Sequence, residues 1–85
     1  MAKYHVVITK SVQRTLGKLS DRLATQLEDA MLSLEDNPRP PGCKKLKGRA
    51  GYRIRVGDYR ILYEIQDKIL VVTVLEVGNR RDVYN

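Results

Sequence analysis

Tyr52-Arg53-Ile54-Arg55-Val56-Gly57-Asp58-Tyr59-Arg60-Ile61-Leu62-Tyr63-Glu64-Ile65 is the stretch on which the fold turns. Tyr52 to Val56 alternates apolar and charged residues, the pattern of a half-buried strand. Gly57-Asp58 is a two-residue hairpin turn, and Tyr59 to Ile65 is the return strand. Residues two apart in a strand share a face. Tyr52, Ile54 and Val56 therefore point to the core, with Tyr59, Ile61, Tyr63 and Ile65 across the turn. Arg53, Arg55 and Arg60 are left together on the other face. Three guanidinium groups on one patch repel each other, and a bound anion would relieve them. The plainer alternative is a wet sheet face that carries arginines by chance, with only Glu64 nearby as counter-charge.

Outward from the hairpin, Gln66-Asp67-Lys68 reads as a turn and Ile69 to Val77 as a nearly all-apolar strand. Such a strand is expected in the middle of the sheet, buried on both faces. Gly78 to Asn85 closes the chain and adds Arg80, Arg81 and Tyr84. Upstream, residues 37–51 hold prolines, glycines and lysines and read as a loop. Residues 4–9 suit a short strand. Thr9 can cap a helix over roughly 10–19, and Ser20 a second over about 21–36. Leu16, Leu19, Leu23, Leu27, Ala30, Met31 and Leu34 recur at spacings of three and four, which makes one apolar stripe. Asn37-Pro38 ends the second helix. The order βααβββ implies an α+β fold, an antiparallel-rich sheet with two N-terminal helices packed on one face.

Composition narrows the function. The 85 residues suit one domain, spanning 1–85, which buries roughly 60–65% of its unfolded surface. No apolar run is long enough for a membrane span, and the N-terminus lacks a signal-peptide pattern, so the expected setting is cytoplasmic. One cysteine and one histidine exclude an internal disulfide and the usual structural metal cages, and no cofactor is expected. The net charge of +6 comes from 16 basic and 10 acidic residues. Residues 1–38 are charge-balanced. Residues 39–60 hold Arg39, Lys44, Lys45, Lys47, Arg49, Arg53, Arg55 and Arg60 against Asp58 alone. So one-sided a segment suits a polyanion, either a phosphate backbone or an acidic protein. Lys44, Lys45, Lys47, Arg49 and Arg81 are the candidate contacts for such a polyanion, and RNA-binding residues if it is RNA.

The pieces Lys45-Leu46-Lys47-Gly48, Tyr52 to Tyr63, and Val77-Gly78-Asn79-Arg80-Arg81-Asp82-Val83-Tyr84 together resemble the RelE branch of the RelE/ParE toxin superfamily. The element order extends the resemblance over essentially the whole chain. It implies a type II toxin that enters the ribosomal A site, cleaves mRNA there and is neutralised in a complex with a cognate antitoxin. It marks Arg53, Arg55, Arg60, Arg80 and Tyr84 as the catalytic set, and Lys47 as an RNA contact. Positions 53 and 55, lysines in the best-studied type of member, are arginines here. Some relatives have histidine at the position of Asn79 or an added C-terminal helix. The shared fold leaves a second implication open, a ParE-like toxin that poisons DNA gyrase. A third is a module that binds RNA without chemistry.

The residues can support metal-independent cleavage. A ribose 2′-OH attacks the adjacent phosphorus, and fixed cations stabilise the charge that builds on the phosphoryl oxygens. Arginine stays protonated and makes a poor base. Tyr84 could move a proton only if the arginines lower its pKa. His5 lies on the first strand, far in sequence from the patch, and Cys43 is expected to be an incidental loop thiol and not a nucleophile.

Overall fold

The computed structural model describes residues 3–79. Strand β1 (His5–Ile8) leads into helix α1 (Lys10–Gly17) and helix α2 (Asp21–Leu32). A 3₁₀ turn at Ser33–Glu35 follows. Strands β2 (Lys44–Lys45), β3 (Tyr52–Val56), β4 (Tyr59–Gln66) and β5 (Val71–Asn79) complete the order. Ser20 caps α2 as expected, its Oγ accepting from the Leu23 amide at 3.2 Å. Thr9 precedes α1 without a side-chain cap. Its hydroxyl instead donates to the Val74 carbonyl at 3.0 Å and ties the start of α1 to β5.

The five strands form one sheet in the order β1-β5-β4-β3-β2. β1 runs parallel to β5, and the other pairs are antiparallel. The parallel contact needs a crossover, and the two helices supply it. They cover one face of the sheet. Val12, Leu16, Leu27, Met31 and Leu34 pack there against Ile54, Ile61, Tyr63, Val72 and Val74, so the apolar stripe and the apolar strand faces meet in one core. Leu19, Leu23 and Ala30 border it.

Three details depart from the sequence reading. The loop 37–51 contains the two-residue edge strand β2, because Lys44 and Lys45 find β3 as a partner. The last strand starts at Val71 and not at Ile69. Leu70 takes a left-handed φ of 55°, and Ile69 is 64% exposed. Finally, β5 is central but not buried on both faces. Val72, Val74 and Val77 are buried while Glu76 is exposed, because among the described residues no helix covers the second face.

Candidate functional site

The helix-free face carries the cations. Arg55 lies directly opposite Arg60 in the β3–β4 ladder. Arg53 is two residues along β3, about 6.5–7 Å from Arg55. Lys44 of β2 is the ladder partner of Arg53. Side chains directly opposite in an antiparallel pair start about 4.5–5.5 Å apart at Cβ. Four cations from three adjacent strands therefore share one patch, and the expected clustering of Arg53, Arg55 and Arg60 is present. The hairpin turn makes it possible. Gly57 has φ 58° at the first central position, as a type II′ turn requires, and this sets the register that puts Arg55 against Arg60.

Burial grades the patch. Arg55 is exposed and Arg53 half-buried, whereas Arg60 is only 6% exposed. Arg60 occupies a middle strand, and its partner on β5 is Gly78, which contributes no side chain. The plainer alternative, a wet face throughout, does not hold at Arg60 and Leu62, which are buried. Glu64 lies further along the same face, and the register Leu62–Glu76 adds a second carboxylate.

The loop ahead of β3 walls the patch. Pro40-Pro41-Gly42-Cys43 closes a tight turn in which the Cys43 amide donates to the Pro40 carbonyl at 3.0 Å. Gly42 has φ 90°, the left-handed value that the third residue of a type II turn needs, and Pro41 suits the position before it. A cavity of about 250 Å³ opens between this turn and β3, lined by Gly42, Lys44, Arg53 and Arg55. A larger cavity of about 480 Å³ lies beside α1 and the end of β5, with Ser11, Thr15, Lys18 and Tyr59 in its lining.

A different arrangement holds the same loop over the helix-bearing face. Arg39 donates from Nη1 and Nη2 to the two carboxylate oxygens of Asp67, at 3.2 and 3.0 Å. Its Nε donates to the Tyr52 hydroxyl at 3.3 Å, and its guanidinium lies 5.2 Å from the Tyr52 ring centroid. The Tyr4 hydroxyl donates to Asp67 Oδ1 at 2.6 Å. These two hydrogen-bonding partners, Arg39 first, hold the Asp67 carboxyl down to about 2. Tyr52 stacks on Tyr63 with centroids 6.1 Å apart. The buried Tyr63 hydroxyl donates to the Pro38 carbonyl at 2.8 Å. Burial is the main reason its ionisation is pushed up, and Cys43 beside it adds to the effect.

The expected site residues divide as follows. Arg53, Arg55, Arg60 and Lys44 come together. Lys45 pairs with Tyr52 in the ladder and so takes the helix side, away from the patch. Lys47 and Arg49 are exposed in the loop after β2. Arg80, Arg81 and Tyr84 lie outside the described residues. His5 is on β1, separated from β3 by two strands, and Cys43 packs against the core beside Tyr63. His5 is thus distant from the cations, while Cys43 turns to the core between Gly42 and Lys44, which line the cavity. Among the described residues, no three His, Cys, Asp or Glu side chains are grouped so as to hold a metal ion. The sequence reading missed Gly42 as a wall of the site. Its signal was Pro41-Gly42, a pair with a defined turn geometry.

Comparison with known proteins places this geometry. The profile of the family described as the ParE toxin of type II toxin–antitoxin system, parDE, matches residues 6–84. Toxin RelG of Mycobacterium tuberculosis is 37% identical over 83 residues, 95% of each chain. The fold is similar to a chain of the M. tuberculosis toxin–antitoxin complex RelBE2, with TM-score 0.82, 29% identity, and 93% of this chain and 100% of that one covered. It is also similar to a chain of the archaeal RelE–RelB complex from Pyrococcus horikoshii, with TM-score 0.80, 31% identity, and 91% and 94% covered. A cation-lined sheet face on a βαα-sheet frame, a family profile spanning nearly the whole chain and RelE-type relatives together establish that this chain belongs to the RelE/ParE family of type II toxin–antitoxin toxins.

Proposed function

We propose that this toxin is a ribosome-dependent mRNA endonuclease. It acts in the cytoplasm on mRNA in the A site of the small ribosomal subunit and contacts rRNA there. A cognate antitoxin neutralises it. The observation that carries the reading is the Arg55–Arg60 ladder pair with Arg53 and Lys44 beside it on one face. Like charges directly opposite cost stability, and a phosphodiester seated beside them brings negative charge to the pair. The ribose 2′-OH attacks the adjacent phosphorus. The bond to the 5′ oxygen of the next nucleotide breaks, leaving a 2′,3′-cyclic phosphate and a free 5′-OH. Arg55 and Arg60 stabilise the charge on the phosphoryl oxygens, a service for which other nucleases use metal ions. Arg53 steadies the same strand. Arg80 and Tyr84 enter from the sequence resemblance alone, Arg80 as a phosphate contact and Tyr84 as the group that orients the substrate. The arginines stay charged and do not act as bases. Rate therefore comes from positioning and charge, and the ribosome supplies the reactive geometry. The named antitoxin complexes among the relatives support a heteromeric resting state. The expected antitoxin brings acidic and apolar segments to the basic surface.

The test is cleavage of mRNA on programmed ribosomes, with the new 5′ ends mapped against the reading frame. Wild type gives cuts in the A-site codon, and Arg60→Ala and Arg80→Ala remove them. Full cleavage by both variants overturns the assignment. The ParE description of the matching profile favours one other reading, a toxin that poisons DNA gyrase. Inhibited supercoiling with intact mRNA would establish that one instead.

A further inference from the structure

The cavity between the Gly42 turn and β3 shares Arg53 and Arg55 with the cleavage reading, but it lies to the β2 side of the Arg55–Arg60 pair and offers an anion a second place. Among the described residues, Lys44, Arg53 and Arg55 are three of the four that line it, and none of the four is a carboxylate. Its fourth wall is a glycine at the turn, where an added Cβ would meet no atom within 4 Å, so the backbone leaves the mouth open. At about 250 Å³ it falls below the usual range of small-molecule sites and suits a phosphate with part of its sugar. The Lys44–Arg53 pair is one two-residue step from the Arg55–Arg60 pair, about 6.5–7 Å along the strand. That step is comparable to the distance between consecutive phosphates of a nucleic-acid strand.

We propose that this cavity is a second phosphate subsite, which grips the phosphodiester next to the one held between Arg55 and Arg60, with Lys44 as its distinguishing cation. The proposal rests on RNA as the substrate and extends it to a footprint of at least two consecutive phosphates. The subsite fixes the direction and register of the strand across the sheet. Arg55 borders both positions, and Lys44 belongs to the second alone.

The experiment measures binding of non-cleavable 2′-deoxy-substituted oligonucleotides by the full chain across a salt series. One probe is a dinucleotide with one internal phosphate, and the other is a trinucleotide with two. Wild type binds the trinucleotide more tightly, with a log–log salt slope steeper by about 0.7. Lys44→Gln weakens trinucleotide binding by about tenfold, the loss of one charge-assisted contact, and leaves dinucleotide binding unchanged. Lys68→Gln, in the exposed turn between β4 and β5, changes neither. Equal binding of the two probes by wild type overturns the subsite. So does an equal effect of Lys44→Gln on both probes, or none on either. A glutamate-rich peptide that loses affinity with Lys44→Gln while the trinucleotide does not assigns the cavity to a protein partner and also overturns it. The two readings fail separately. Two-phosphate binding without mRNA cleavage on ribosomes removes the nuclease and keeps the subsite. Cleavage with no Lys44 effect on the trinucleotide does the reverse.

Discussion

Arg39 lies against the helix-bearing side of the sheet with both oxygens of Asp67, the Tyr52 hydroxyl and the Tyr52 ring around it. Arg55 lies on the bare side, and its ladder partner is another arginine. The two residues belong to the same basic segment and carry the same group. One has its counter-charge built in, and its work is to hold a loop. The other faces a like charge, an arrangement that stability alone would not select. The contrast teaches that an excess of positive charge is not one property of this chain. It separates into a clasp, in which Arg39 meets both oxygens of Asp67, and a cation-bearing face, where Arg55 stands opposite Arg60. The clasp serves the face: by holding residues 38 and 39 over Tyr52 and Tyr63, it sets where the Gly42 turn and Lys44 emerge beside Arg53.

The sharpest way to break this contrast is Arg55→Ala. Cleavage of A-site mRNA should fall by about 10²-fold or more, the usual consequence of removing a fixed charge-stabilising donor. The melting temperature should stay level or rise, because a like-charge pair is gone. A loss of stability that parallels the loss of cleavage would erase the distinction between the two faces. Next in size is Gly51→Ala, on the structural side. The Gly51 backbone has φ 122°, and a Cβ there would stand 2.8 Å from the Tyr63 carbonyl oxygen. Urea unfolding should show a destabilisation of about 2–3 kcal/mol, and a change near zero would mean that the loop end is not held to β4. Tyr63→Phe removes the buried bond to the Pro38 carbonyl and should cost about 1 kcal/mol by the same measurement, with the arginine face undisturbed.

The smallest effect belongs to the clasp's own charge. Asp67 is held down to about 2 when folded, against about 3.9 in an unfolded chain. A depressed carboxylate stabilises the fold fully above its unfolded value, and that stabilisation is lost as pH falls through the folded one. Thermal melts of wild type and Asp67→Asn should therefore differ slightly at pH 5 and converge as pH falls from 4 to 2. The pair is half exposed, so solvent keeps the difference small. A gap that widens on acidification would mean that Asp67 is not the partner that matters to Arg39.

Much of this was legible before any coordinates. Period-two alternation between Tyr52 and Ile65 placed Arg53, Arg55 and Arg60 on one face, because strand geometry leaves no other option once the apolar set is committed to a core. The apolar stripe from Leu16 to Leu34 likewise announced a helical pair, since spacings of three and four make one face of a helix. These are local rules, and the sequence by itself was enough to apply them. What it could not supply were facts about neighbours distant in the chain. β2 exists only because β3 lies beside two lysines. The same pairing sends Lys44 to the site and Lys45 to the other side, although composition counts them alike. Ile69 and Leu70 look like strand but turn, because β5 takes its register from β1 and β4. Arg60 is only 6% exposed although it lies on the face away from the helices, which no window around residue 60 reports. The Asp67 partner of Arg39 is 28 residues away. Alternation and periodicity follow from the geometry of a single element, but balance of charge depends on which elements meet, and only the tertiary structure decided that.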